Sequence, residues 1–254
     1  MLKTERQERI VSLINEQEFL NVNQIAELLN VTPMTIRRDV NELAEKNKLI
    51  RVYGGAQKIS LKDREYSTQE KMCWNEENKQ YIGNVMNQLI KEGDTIYLGA
   101  GTTILHALKN ITKKELLIVT NSLIAFQYVQ ENTDYKVILT GGEYAEVTEE
   151  FTGEITEKAF TPLNIDIAFA ATNGIYGNNI TTSSSNQGRV QREAFAHSKV
   201  KAIVADHSKF NVSDVYTFYH LTDIDYVVTD NGISETLLNQ YESFVKIKYQ
   251  EETE

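Results

Sequence analysis

In 254 residues the chain has one cysteine, Cys73, two prolines and four histidines. A lone thiol excludes an intramolecular disulfide and any multi-cysteine metal site. The histidines, at 106, 197, 207 and 220, show no metal-ligand spacing, and neither a metal nor a cofactor is expected. No apolar stretch approaches the ~20 residues of a membrane-spanning helix. The N-terminus, MLKTERQERI, has charges where a secretory leader has its apolar core. The expected location is therefore the cytoplasm, with no membrane partner. A disordered or fibrous chain is excluded by 41% hydrophobic and 24% charged residues, the composition of an ordinary packed protein. The length suits one large domain, or a small one plus a medium one.

Basic character is also lacking: the net charge is -10. Taken whole, that argues against a nucleic-acid partner, but the charge is unevenly placed. Residues 1–58 hold nine basic and eight acidic side chains, and the remainder holds seventeen and twenty-eight. A near-neutral head on an acidic body suits a head that binds DNA and a body that does not, although local placement of charge matters more than the total.

In the head, Ile10, Val11, Leu13 and Ile14 recur at helical spacing and predict an amphipathic helix over Lys3–Gln17. A short extended piece, 19–22, follows. Asn23 is the expected cap of a second helix with Ile25, Leu28 and Leu29 on its apolar face. Asn30 and Val31 make a tight turn. Thr32 then stands where an N-cap belongs and Pro33 at the first helical position, where a missing N–H costs nothing. The third helix is expected to run to about Asn47, burying Ile36, Val40 and Leu43. Three helices with so tight a second turn form a helix-turn-helix. Met34, Thr35, Arg37 and Arg38 occupy the N-terminal half of the third helix, the part that enters the major groove in this motif. Residues 49–55 (LIRVYGG) predict a strand and turn that open a β-wing, from which Arg51 can reach a phosphate. A generic three-helix bundle with incidental surface arginines has the same pattern. The candidate DNA contacts are Thr32, Met34, Thr35, Arg37, Arg38 and Arg51.

Residues 58–77 are polar and lack apolar periodicity, which predicts a linker between a winged helix-turn-helix at 1–57 and a second domain at 78–254. The Cys73-Trp74 pair is expected to pack on that second domain. From Asn78 on, helical and extended segments alternate, as in a mostly parallel sheet covered by helices on both faces. Each predicted strand leads into a polar or Gly-rich loop: 99–103 (GAGTT), 120–122 (TNS), 140–142 (TGG), 172–174 (TNG) and 206–209 (DHSK). Such loops converge on the carboxyl edge of the sheet, where folds of this kind bind ligands.

The first of these loops follows a strand and opens a helix, so backbone N–H groups, two hydroxyls and a helix dipole suit a phosphate. A tight strand-to-helix turn has the same pattern. A dinucleotide site is excluded because the sixth position is Ile104 and the next strand ends at Thr120, which breaks both parts of that fingerprint. No Gly-Lys-Ser/Thr follows, so it is not a P-loop. The candidate ligand residues are Gly99, Ala100, Gly101, Thr102, Thr103, Asn121, Ser122, Gly141, Gly142, Asn173 and Lys209. Amides and hydroxyls suit a sugar, and the lysine suits a phosphate. Among the histidines only His207 falls on that edge, where an ordinary polar loop residue is the simpler reading.

Residues 31–40 (VTPMTIRRDV), with Leu43, Leu49, Arg51 and Gly54-Gly55-Ala56, resemble the DeoR-type helix-turn-helix signature. The resemblance implies that Arg37 and Arg38 belong to the DNA surface, while Asp39 is a structural residue, since phosphate would repel its carboxylate. The body is similar to the DeoR-family sensor domain at 99–103, 120–122, 141–143, 172–175, 181–182 and 205–210. That domain resembles sugar-phosphate isomerases of the ribose-5-phosphate and glucosamine-6-phosphate type and binds a phosphorylated sugar that alters operator affinity. Residues 141–154 resemble most the family branch that represses lactose phosphotransferase operons. The implied activity is repression of a sugar operon by a homodimer or homotetramer on double-stranded operator DNA, relieved by a phosphosugar.

One segment departs from the family: Asn186-Gln187-Gly188 replaces an acidic E-E-A. Arg189 and Arg192 follow it, facing either a more anionic ligand or an interface. The competing class is an isomerase-like enzyme. That chemistry needs a positioned carboxylate base, and the isomerases' acidic run is replaced here by Thr172-Asn173-Gly174-Ile175, leaving Asp206 and Glu143 as the possible bases. A purely architectural DNA-binding protein has no need of so large an acidic α/β domain.

Overall fold

The computed structural model describes residues 3–17, 19–45, 48–52, 54–57 and 66–250. Two compact units divide the chain, Met1–Glu65 and Tyr66–Glu254.

The first unit runs α1 (Lys3–Gln17), β1 (Phe19–Asn21), α2 (Val22–Leu29), α3 (Pro33–Glu45), β2 (Ile50–Val52) and β3 (Gly55–Gln57). Asn21, rather than Asn23, caps α2. Its side chain accepts from the Gln24 N–H while the Gln24 side chain accepts from the Asn21 N–H, a reciprocal box that Asn23 is placed too late to make. Asn30 ends α2 in the left-handed conformation (φ 51°), which asparagine tolerates better than most residues. The Thr32 hydroxyl accepts from the Thr35 N–H at 3.3 Å and so starts α3. Ile10, Ile14, Ile25, Leu29, Ile36, Val40, Leu43 and Leu49 fill the core. Leu28, expected on the buried face, is 56% exposed. In the wing β3 pairs with both β2 and β1. A Cβ on Gly55 would lie 2.4 Å from the Leu20 carbonyl oxygen, so only glycine lets β1 and β3 approach this closely. Tyr53, the expected C-terminal turn of α3 beyond Glu45, and linker residues 58–65 lie outside the described residues.

Residues 66–77 were expected to be linker but are structured as part of the second unit. Ser67 and Glu70 form a capping box for α4 (Thr68–Met72), and α5 (Glu76–Leu89) begins four residues after it. Trp74 makes an edge contact with Tyr66 and is 43% exposed, and Cys73 is exposed. The pair does not pack into a core.

Then follow β4 (Thr95–Leu98), α6 (Thr102–Leu108), β5 (Leu117–Thr120), α7 (Leu123–Asn132), β6 (Lys136–Leu139), β7 (Glu143–Ala145), β8 (Glu150–Thr152) and α8 (Glu154–Lys158). The chain continues through β9 (Ile165–Ala171), β10 (Gly174–Tyr176), β11 (Asn179–Thr182), α9 (Ser185–Ala196), β12 (Ser198–Val204), β13 (Tyr216–His220), β14 (Tyr226–Val228), α10 (Glu235–Tyr241) and β15 (Lys246–Lys248). Seven strands form a parallel sheet in the order β15-β14-β12-β9-β4-β5-β6. Ile96, Leu98, Ile118, Phe169, Ala202 and Val204 from these strands are buried in one core cluster, and Tyr97, Val119, Ala168, Ala170 and Ile203 in another. Alternate residues of β4, β5, β9 and β12 thus fall in different clusters. This is why the strands read as near-continuous apolar runs. The antiparallel set β10-β11-β13 and the hairpin β7–β8 stand apart from that sheet.

The order of strands locates the site. The chain builds outward from β4 to β6, then returns to lay β9 on the other side of β4 and builds outward to β15. The reversal leaves a topological switch point between β4 and β9, where connections leave on opposite faces and open a crevice at the carboxyl ends.

Candidate effector site and nucleic-acid interface

On α3 the residues Met34, Arg37, Arg38 and Asn41 are exposed, at spacings that put them on one helical face. Ile36, Asp39, Val40 and Leu43 are buried on the other side. Lys3, Arg6, Met34, Thr35, Arg37, Arg38, Asp39 and Asn41 line a cleft of about 590 Å³. Thr32 and Thr35 are joined hydroxyl to hydroxyl at 2.9 Å, so they shape the start of the helix as well as facing outward. Arg51 is exposed on β2. Asp39 is 1% exposed. Its Oδ2 accepts from Arg6 Nε at 2.6 Å and its Oδ1 from Gln7 Nε2 at 3.4 Å. The carboxylate raises the Arg6 pKa and locks α3 to α1. Lys3 pairs with Glu42 at 2.7 Å. Lys3, Arg6 and Asn41 were missed by sequence reasoning; the first two lie 39 and 33 residues from the partners they meet on α3, Glu42 and Asp39.

In the second unit the 99–103 loop leaves β4 at the switch point. Gly99 donates to the Phe169 carbonyl of β9 at 2.9 Å. Gly101 has φ 135°, and a Cβ there would lie 3.0 Å from the Ala171 Cβ, so the loop requires glycine at this point. No side chain caps α6, and its first N–H groups are left for an acceptor from outside. Ala100 and Gly101 are half-buried, and Thr102 and Thr103 are buried. Asn173, at the end of β9, is half-buried and donates to Asp214 Oδ2 at 2.8 Å.

Lys209 ends a single 3₁₀ turn, His207–Lys209, that follows β12 and is capped by Asp206. Its ammonium forms no ion pair among the described residues. Lys79 of α5 lies near enough to feel its charge. This lysine is 4% exposed and donates to the Lys71 carbonyl at 2.7 Å. Burial lowers its pKa to about 8; Asp206 opposes the shift, while Lys209 and Lys71 add to it. Asn75, before α5, donates to Asp206 Oδ1 at 3.2 Å. The segment expected as linker therefore packs on the second unit, with Asn75 on Asp206 and the Lys71 carbonyl holding the buried Lys79 ammonium. The visible signal was a lysine three residues before Ile82 on a helix whose buried stripe continues to Val85 and Met86.

Asn121 and Ser122 reach the same edge but are fully engaged within the protein. Asn121 is 1% exposed, accepts from the Tyr97 hydroxyl at 2.9 Å, and donates to Glu150 Oε2 and the Phe151 carbonyl, both at 3.1 Å. Ser122 caps α7 by accepting from the Ala125 N–H, and is 2% exposed. Both are framework for the edge, since a free asparagine at the end of a strand and a committed one look the same in a sequence. Gly141 and Gly142 form a turn packed on α8, where a Cβ on Gly142 would lie 2.0 Å from the Thr156 hydroxyl.

The departing 186–188 segment has a local explanation. Gln187 donates to Glu150 Oε1 at 2.8 Å and accepts from the Thr182 hydroxyl at 2.9 Å, and both Gln187 and Glu150 are buried. A glutamate at 187 would set two carboxylates against each other in a dry environment. A Cβ on Gly188 would lie 2.7 Å from the Phe218 Cβ. Arg189 pairs with Glu157 at 2.9 Å and with Asn186 at 2.7 Å, and Arg192 is exposed.

A winged helix-turn-helix with arginines on its recognition helix, in one chain with an α/β unit whose crevice offers loops and cations, defines a transcription regulator with its own sensor domain. Residues 6–62 match the DeoR-like helix-turn-helix domain, and residues 74–231 match the DeoR C terminal sensor domain. The chain belongs to the DeoR family. It is 36% identical to a lactose phosphotransferase system repressor of Streptococcus mutans over 91% of this chain and 93% of that protein. It is also 36% identical to a protein of the same name from Staphylococcus epidermidis, over 97% and 99%. Ribose 5 phosphate isomerase A from Neisseria gonorrhoeae superposes with a TM-score of 0.41 at 14% identity over 56% of each chain, a likeness too low to support a conclusion.

Proposed function

We propose that this chain represses a sugar-utilisation operon and is released from its operator by a phosphorylated sugar. The observation that carries the reading is the carboxyl edge beside the switch point: a helix start at Gly101 with no side-chain cap follows β4, and a half-buried Lys209 with no ion pair among the described residues follows β12, with the buried Lys79 near it. Gly99–Thr103 hold the phosphate through backbone N–H groups and hydroxyls. Lys209 and Lys79 supply positive charge, and Asn173 with Gly141 and Gly142 border the sugar. Asn121 and Ser122 hold the frame. The relatives named lactose phosphotransferase system repressor support a repressor of sugar metabolism.

The head contacts double-stranded DNA through Thr32, Met34, Thr35, Arg37, Arg38 and Arg51, with Arg6 and Lys3 beside them. Two or four copies pair their heads on repeated half-sites, since two-fold symmetry matches such operators. The sugar phosphate shifts the heads by binding one arrangement of the subunits more tightly than the other. The winged helix-turn-helix occupies 1–57, and the sensor begins at the capping box of Ser67. The chain regulates and does not catalyse: of the two possible bases, Asp206 is taken up by Asn75 and by the Ser208 side chain, and Glu143 is exposed on the β7–β8 hairpin, apart from the parallel sheet. No described helix is long and apolar enough to cross a membrane, and a cytoplasmic site of action suits a DNA-bound regulator.

Thermal unfolding against phosphosugars and their unphosphorylated parents tests this reading, because a ligand that prefers the native state raises the melting temperature. The expected result is a shift with one phosphosugar and none with its parent. No shift with any phosphosugar removes the sensor account.

A further inference from the structure

His207 stands at the carboxyl end of β12 and is more than a polar loop residue. Its Nδ1 lies 2.7 Å from Asp230 Oδ2, and its backbone N–H donates to Asp230 Oδ1 at 2.8 Å. Asp230 is 0% exposed and also accepts from the Gly232 N–H at 3.0 Å. The ring lies against the Gly232 backbone, where a Cβ would come within 2.7 Å of Nδ1 and 2.8 Å of Cε1. Three hydrogen bonds to one buried carboxylate and a glycine-only contact thus fix the imidazole plane. The side chain is nonetheless 39% exposed, and Nε2 makes no hydrogen bond among the described residues. An aspartate held in this way selects the Nδ1–H tautomer and leaves Nε2 as an acceptor of fixed direction.

We propose that His207 Nε2 is a direct effector contact, accepting from a hydroxyl at the sugar end of the phosphosugar, with Asp230 as its positioning residue. The proposal rests on the carboxyl-edge reading of the effector site. β12 and β4 are separated by β9 alone, two strand spacings or on the order of 10 Å. A phosphate on the Gly99–Thr103 loop therefore leaves the far end of its sugar to reach the turn that carries His207. Lys209 in the same turn offers charge without direction, whereas the clamped imidazole offers direction, which is what discrimination among sugars needs.

The test uses full-length protein and isothermal titration with tagatose-6-phosphate, galactose-6-phosphate, fructose-1-phosphate, fructose-1,6-bisphosphate and ribose-5-phosphate, alongside inorganic phosphate. For whichever sugar phosphate the unaltered protein binds, His207→Ala is expected to weaken binding about tenfold, the worth of one oriented hydrogen bond. His207→Gln is expected to recover part of that loss. Asp230→Asn, whose amide turns Nε2 into a donor, is expected to lose as much as His207→Ala. Inorganic phosphate affinity is expected to be unchanged in all three. In unaltered protein the ¹⁵N resonance of Nε2 is expected to move on saturation, a readout independent of how the variants fold. A His207→Ala affinity within twofold of the unaltered protein, or a stationary Nε2 resonance, overturns the proposal. If the unaltered protein binds none of the sugar phosphates, the effector-site reading itself is overturned, and this proposal falls with it.

Discussion

On α3 the groups proposed to meet DNA come from eight consecutive residues, Met34 to Asn41, all placed by one helical repeat. At the carboxyl edge of the sheet the proposed ligand groups come from Lys79, the 99–103 loop, Asn173 and Lys209, segments placed by strand order and by the packing of α5. The first surface is fixed by local geometry and the second by long-range packing. A lost arginine on α3 should therefore remove a contact and disturb little else, whereas a changed glycine at the edge should disorganise a whole site.

The largest effect is expected from Gly101→Val. A β-branched residue at φ 135° and 3.0 Å from Ala171 cannot keep the loop, and strain of ~1–3 kcal/mol adds to the lost N–H cradle. Effector affinity should fall about a hundredfold by titration, while operator binding without effector stays unchanged. If the effector still bound normally, the edge would be as tolerant as the helix. Next comes Arg6→Ala. The Asp39 carboxylate, 1% exposed, would lose its charged partner and keep only Gln7 among the described residues. The head should melt earlier in calorimetry, with the melting of the second unit unmoved; a joint shift of both transitions would break the distinction between them.

Arg37→Ala and Arg38→Ala should each weaken operator binding by about 1–3 kcal/mol, read by fluorescence anisotropy, with phosphosugar binding intact. A loss of sugar binding in either variant would contradict the separation of roles. The smallest effect is a pH dependence. Burial lowers the Lys79 pKa to about 8. The cation is therefore lost as pH rises through 8, and phosphosugar affinity should fall there by at most about tenfold per pH unit. Stability moves the other way. In this pH range the unfolded chain keeps the proton that the folded chain sheds, so Lys79 makes the fold more stable as pH climbs from 8 toward the ordinary lysine range. Lys79→Met should flatten both trends.

The same contrast explains what could be read from the sequence. The Thr32-Pro33 start of α3 and its arginine face follow from neighbours within a few residues, and the DeoR-type signature covers them without a gap, whereas the partners that hold Asp39, Arg6 and Gln7, lie 33 and 32 residues away. The parallel sheet and its loops were legible because each strand is an apolar run ending in a polar turn. What each loop residue does was not legible. Asn121 is committed to Tyr97 and Glu150, Gln187 to Glu150, and His207 to Asp230, at separations of 23 to 37 residues. Lys79 fell one residue past the boundary drawn at 78, behind a stretch read as linker. The Asn21 cap and the exposed Leu28 show the smaller errors of one or two residues that local reasoning makes at helix ends and edges.

The most direct test of the account is anisotropy of an operator fragment, selected from randomised DNA by the protein itself, titrated with phosphosugars in unaltered protein and in Lys209→Ala. The account predicts release by one phosphosugar, no release by its unphosphorylated parent, and a Lys209→Ala variant that stays on the DNA. Equal release by the parent sugar, or a normal response from Lys209→Ala, would contradict it.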